Sequence, residues 1–382
     1  MIIYWSMILW ILVMYAIYSV TYKERVALSE YNFEHGVNQR IPIVLSIITF
    51  AYIIFWISIR HYVADTTLNV VTFNNMTTDF NSSFKALYWD PFSTKGKGVL
   101  FYLYILFFKC FIANDYILWL TSIAVFCGFF VFKTLRKYCF GADFFFGCFL
   151  FVVLLCFFYM MNGMRQFVCV SVAFGSVDLI KNKKTWKILL LTAVLVFVHS
   201  TAVILVPIYF IANMKPWGKN IFLFMAVIIL VCVFVEPFFG GLDQVLQGTS
   251  YENDISTYFA IDDGVNPLRV MLYAVPPICS FLLRNEMKEY YEKYPILPIC
   301  VNMSLLTAAI YLVGMFTSGI FIGRLPIYSE LYDLILIPFL FRIGIKKEDR
   351  RFVVLSVIAV LLLYFYLTGP SVYHCDWFGT FN

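Results

Sequence analysis

The sequence predicts an all-α, polytopic integral membrane protein with about 10–12 transmembrane helices, most of its apolar runs being near the length that a hydrocarbon core about 30 Å thick requires. Three observations carry this expectation. Of 382 residues, 62% are hydrophobic and 20% aromatic, while 13% are charged, against about 25% in an ordinary soluble domain. The apolar residues come in long uninterrupted runs, and the charges collect between the runs. No stretch is left over for a soluble domain, so residues 1–382 read as a single polytopic membrane domain, with extracytoplasmic loops near 60–97 and 236–266.

Taken in order, the first run, 2–20, has no basic residue ahead of it and no small-residue cleavage site. It therefore reads as a retained helix rather than a signal peptide. Lys23 and Arg25 follow it, which favours an outside N-terminus and a cytoplasmic 21–40 loop. Further spans are expected near 41–59, 98–112, 116–132, 143–161, 164–180, 186–213, 219–235, 267–283, 297–316, 326–341 and 352–367. Two of these break simple alternation. Run 98–112 reaches only ~22 Å as a helix and is read as a re-entrant or half-buried element. Run 186–213 has basic loops at both ends and contains His199-Ser200-Thr201 and Pro207. A broken hairpin that enters and leaves on the cytoplasmic side fits it, because non-helical backbone at depth is tolerated where protein surrounds it. A single tilted span is the alternative.

Charge sets the sidedness. Six short loops, around 23–40, 133–137, 181–187, 215–219, 284–293 and 342–351, hold 20 of the 28 Lys and Arg residues, and the positive-inside rule assigns them to the cytoplasm. The stretch Glu236–Asn266 has six acids and no Lys or Arg, which assigns it to the outside.

Eight cations remain: Arg60, Lys85, Lys95, Lys97, Lys109, Arg165, Arg269 and Arg324. Three of them, Arg60, Arg165 and Arg324, are arginines at tight turns or helix ends, and each has two readings. It can snorkel to lipid phosphates, or it can help to ring an anionic substrate, since its planar fork matches phosphate oxygens. His199 stands deep in an apolar run, either as a buried histidine tied to a neighbouring helix or as a general base. Asp65 and Thr66 either cap a helix or meet a hydroxyl-rich substrate. The ten cysteines lie mostly inside apolar runs without C-x-x-C spacing, so neither a disulfide framework nor zinc is indicated. The sequence has no P-loop, G-x-G-x-x-G or H-E-x-x-H motif and no carboxylate pair at metal spacing. Nucleotide hydrolysis, bound metal, other cofactors and nucleic-acid partners have no foothold.

Met164-Arg165-Gln166 opening a span, the basic break Lys181-Asn182-Lys183-Lys184, then Phe197-Val198-His199-Ser200-Thr201-Ala202 and Pro207-Ile208-Tyr209-Phe210 resemble the EpsG-like family of Wzy-type bacterial polysaccharide polymerases. Weaker echoes are Arg60 with Asp65-Thr66, Asn266-Pro267-Leu268-Arg269, and Gly323-Arg324-Leu325-Pro326-Ile327-Tyr328. The family's Gly-Thr-Asp with a following Tyr stands here as Val63-Ala64-Asp65 and Val70. The resemblance implies a multi-pass enzyme of the bacterial inner membrane, a metal-independent glycosyltransferase that joins lipid-diphosphate-linked repeat units into capsule, exopolysaccharide or O-antigen chains. Arg165, Gln166, Arg324 and Arg60 would bind diphosphate or glycan, and His199, or failing it Asp65, would take the acceptor proton. Other polysaccharide-assembly proteins, such as a chain-length regulator, are the implied partners. A flippase for the same lipid-linked glycan and an O-antigen-ligase-like glycosyltransferase are the competing functions.

Overall fold

The computed structural model describes residues 1–37, 39–61, 63, 65–93, 96–234, 241, 244 and 264–381. The acidic stretch 236–266 therefore lies, apart from 241, 244 and 264–266, outside the described residues. The helices that build the fold are, in chain order, α1 (Ile2–Thr21), α2 (Ile43–Ser58), α3 (Thr66–Asn75), α4 (Val99–Phe111), α5 (Tyr116–Tyr138), α6 (Asp143–Val153), α7 (Met164–Gly175) and α8 (Thr185–Val196). They continue as α9 (Leu205–Ala212), α10 (Lys219–Val233), α11 (Pro267–Leu282), α12 (Leu297–Met315), α13 (Ile327–Glu330), α14 (Asp333–Gly344) and α15 (Lys347–Thr368). An antiparallel hairpin of β1 (Tyr373–Cys375) and β2 (Gly379–Phe381) follows, with His374 opposite Thr380.

By length and composition α1, α5, α12 and α15 can each cross a membrane alone, and eight shorter apolar segments accompany them. Their outward faces remain greasy: Leu9 is 63% exposed, Leu223 65% and Phe352 76%. Water would not leave such faces uncovered, whereas lipid tails solvate them. The chain is a polytopic membrane protein, mostly helical and with almost no strand.

Contacts divide the chain into two compact units that interleave along the sequence: residues 1–87, 100–175 and 345–382 form the first, and 88–99 and 176–344 the second. In the first unit, α5 packs between α2 and α7. The α2 crossing is close because Gly128 presents no side chain; a Cβ there would stand 2.5 Å from Ile54 Cδ1. Helix α1 lies against α2 and α6, and α15 covers α6. Run 98–112 forms the single helix α4, 13 residues and ~20 Å long, short as expected.

The second unit is built around α12, which packs on α9, α10, α11, α13 and α14. Helix α12 is buried on all sides, so a polar side chain on it must find a partner inside the protein. Asn302 does so by donating to the Ile211, Ala212 and Met214 carbonyls at 3.1, 3.3 and 2.7 Å, which closes the otherwise open end of α9.

Run 186–213 is broken, as the sequence predicts. Helix α8 stops at Val196, His199 is extended (φ −154°, ψ 121°), a 3₁₀ turn follows over Ser200–Ile204, and α9 leads back. The Thr185 and Tyr209 hydroxyls meet at 2.6 Å, so the start of α8 lies beside α9 and the segment is a hairpin.

Three other runs expected as continuous spans are also interrupted. Run 143–161 breaks after α6, where Leu155 turns left-handed (φ 63°) before a short helix over Cys156–Tyr159. Run 164–180 breaks at Ser176, and run 326–341 breaks between α13 and α14. Apolarity reports burial in lipid or protein alike and is blind to a change of direction inside a buried run. Leu154 and Leu155 are 4% and 5% exposed, and their amides donate to Leu150 and Val152, so the break leaves neither donor open.

Candidate functional site

In the first unit, α2 ends in the sequence Ser58-Ile59-Arg60-His61. Arg60 is 1% exposed. Its Nε donates to Thr66 Oγ1 at 2.9 Å, and its terminal nitrogens reach the Ile57 and Met160 carbonyls and the Met164 sulfur. Thr66 in turn donates to the Met161 carbonyl at 3.2 Å. Arg60 thus binds the end of α2, the start of α3 and the turn before α7 into one piece.

Arg165 stands in the first turn of α7, half-buried, with its guanidinium 5.8 Å from the Tyr102 ring centroid and Nη1 3.5 Å from the Tyr102 hydroxyl. The turn into α7 passes through Gly163 at φ +87°, a conformation that a side chain would strain. Gln166 is 6% exposed. Asp65 occupies the N-cap of α3, but its carboxylate accepts no capping hydrogen bond, and the helix starts without it.

Lys109 is an α4 residue, 7% exposed. Its ammonium donates to the Phe73, Asn74 and Met76 carbonyls at 2.7, 2.8 and 2.6 Å. All three N–H groups close the last turn of α3.

The β1–β2 hairpin docks on the loop after α2. Asp376 accepts from His61 Nδ1 at 2.7 Å and from the Tyr116 hydroxyl, with His374 Nε2 3.7 Å away. Burial pushes the Asp376 carboxyl up, but the Tyr116 and His61 hydrogen bonds and the nearby imidazoles outweigh it and hold the group below its usual range. Among the described residues no group of three His, Cys, Asp or Glu side chains is arranged to hold a metal ion.

In the second unit, the break of the α8–α9 hairpin presents His199, half-buried. Its Nδ1 lies 2.7 Å from Thr201 Oγ1, which lies 3.1 Å from the Tyr328 hydroxyl. Tyr328 belongs to α13, four residues after Arg324 in the 3₁₀ turn Ile322–Arg324. Thr201 therefore ties the break at His199 to α13, the element into which the Arg324 turn leads, at one corner of this unit. The same corner receives the start of α11: the Val265 amide donates to the Gly314 carbonyl at 3.0 Å, and Tyr273 packs on Tyr311 with centroids 4.9 Å apart.

A matching family model spans residues 43–381 and describes the EpsG family. The chain belongs to the EpsG family, a family of Wzy-like polymerases. No curated protein and no solved structure matches it.

A search of apolar runs for cations alone passes over Glu330 and Asp333. Both are 0% exposed, and both sit inside run 326–341, so an acid in an apolar span was the signal that would have found them. Glu330 accepts from the Tyr311 hydroxyl at 2.7 Å. Ser329 beside it shares a 2.7 Å hydrogen bond with Thr307.

Proposed function

We propose that this EpsG-family protein polymerises polysaccharide on the outer side of the bacterial cytoplasmic membrane, joining lipid-diphosphate-linked oligosaccharide repeat units. The acceptor sugar hydroxyl attacks the donor's anomeric carbon, the bond from that carbon to the diphosphate oxygen breaks, and the lipid diphosphate departs with the bonding pair. Two needs follow from this chemistry: a base for the hydroxyl proton, and fixed positive charge where the leaving group gathers negative charge.

The observation that carries the reading, beyond family membership, is the His199–Thr201–Tyr328 chain beside the Arg324 turn. In this reading His199 accepts the proton at Nε2, while Nδ1–H donates to Thr201 Oγ1 and holds the ring in place. Arg324 offers a planar fork to the diphosphate oxygens. Arg165, with Gln166 after it, is the candidate of the first unit for the glycan or its phosphates. Asp65 is the second choice as base, and Arg60 serves by holding the turn that carries Arg165.

A deletion strain tests this. Single repeat units should still appear on the lipid carrier and reach the outer leaflet, and long chains should be missing. Units stranded on the inner leaflet would instead identify a flippase. Finished chains left on the lipid would identify a ligase.

A further inference from the structure

Helix α12 turns Cys300, Ser304, Thr307 and Tyr311 to one side, at the spacing of a single helix face, and all four are at most 1% exposed. The segment facing them carries Ser329, Glu330 and Asp333, each 0% exposed. Polar ties cross at two levels, Thr307 to Ser329 and Tyr311 to Glu330, both at 2.7 Å. At the Tyr311 level a third element joins. Arg269, in the first turn of α11, holds its guanidinium 5.9 Å from the centroid of the Tyr311 ring.

The order is therefore carboxylate, phenol, guanidinium. Removing a carboxylate from water is expensive, and a neutral amide would accept the same phenol hydrogen bond. The acid ties the phenol from inside the protein, so the ring beside the cation is held in place. A guanidinium held near an aromatic ring still carries its planar set of N–H donors, which is the geometry suited to a phosphate. The arrangement parallels Arg165 at 5.8 Å from the Tyr102 ring in the first unit, but here the tyrosine is itself anchored by a buried acid.

We propose that Arg269 is a further anion-binding residue, one that grips the diphosphate of the lipid carrier, and that Tyr311 and Glu330 are positioning residues that hold it. The proposal rests on the polymerase reading for the identity of the anion.

The test uses the full-length protein in nanodiscs, with polyprenyl diphosphate as the probe and inorganic diphosphate and polyprenyl phosphate in parallel, and elongation of lipid-linked repeat units measured separately. Arg269→Lys should weaken polyprenyl diphosphate binding at least tenfold, and Tyr311→Phe, which keeps the ring but loses the tie to Glu330, by several fold. In the Arg269→Lys background, Tyr311→Phe should cost little more, because it acts through the arginine. In elongation, Arg269→Lys should raise KM more than it lowers kcat. Unchanged binding in Arg269→Lys overturns the proposal, and additive losses remove Tyr311 from it. Equal weakening for polyprenyl phosphate and diphosphate would show a lipid-phosphate contact rather than a diphosphate grip and also overturns it. A wild-type protein that binds the diphosphate but never elongates sinks the polymerase reading and leaves the anion site standing.

Discussion

Lys109 offers a sharp separation of structural from substrate-binding cations. Its ammonium lies within 2.8 Å of three carbonyls at the end of α3, and the side chain is 7% exposed. Lys109→Met keeps the length of the stem and removes all three donors. Hydrogen bonds to a charged group contribute ~1.5–3 kcal/mol each, and part of that is returned because the ammonium no longer has to be buried and water can reach some carbonyls, so the net loss should be about 3 kcal/mol. Lys109→Arg should lose much of the same stability, since a planar fork cannot aim three donors at carbonyls arranged around a tetrahedral head. Thermal unfolding of the purified protein in detergent reads both variants. A substrate cation would behave in the opposite way, with Arg tolerated in activity and Met harmless to stability. A Lys109→Met protein that unfolds with the wild type refutes the reasoning.

Arg165→Lys should lose most polymer at normal protein level, because snorkelling is satisfied by either cation and bidentate contact is not; wild-type chain lengths would return Arg165 to the lipid surface. His199→Ala should abolish most polymer, and His199→Gln should not restore it, whereas rescue by Gln would make hydrogen bonding to Thr201 the whole role of the position. Because the Asp376 carboxyl is held below its usual range, its folded form is favoured above the unfolded pKa near 3.9 and that advantage fades as pH falls through the lower folded value. The β1–β2 hairpin should therefore resist protease at pH 5–7 and open only in stronger acid. Asp376→Asn should make it protease-sensitive throughout, and equal protection in both proteins would remove the carboxylate from the latch.

Much of the architecture was legible because apolar runs and basic loops obey simple rules. Each expected span contains at least one helix, and the break near His199 was readable from Ser200, Thr201, Pro207 and the basic residues at both ends. The left-handed turn at Leu155 was not, since a leucine there looks like any other apolar residue. Among the site candidates, sequence marks Arg60, Lys109 and Arg165 alike as cations outside the basic loops. Only packing separates them: Lys109 spends its donors on backbone carbonyls, Arg60 on carbonyls, the Thr66 hydroxyl and the Met164 sulfur, and Arg165 stands half-buried over Tyr102. Glu330 is marked in sequence as an acid inside an apolar span, but its tie to Tyr311, nineteen residues earlier, shows only in the packing.

The interleaving of the two units orders events during synthesis. Residues 176–344 complete the second unit while the first still lacks α15 and the β1–β2 hairpin, whose Arg350 pairs with Glu30 at 2.7 Å and whose Asp376 pairs with His61. The first helices made must therefore wait in the membrane with a face uncovered until the last ones arrive. A ribosome that stops after residue 344 would release a chain whose second unit is whole and whose first is open, so loss of residues 345–382 should betray itself to quality-control proteases through α1, α2 and α6.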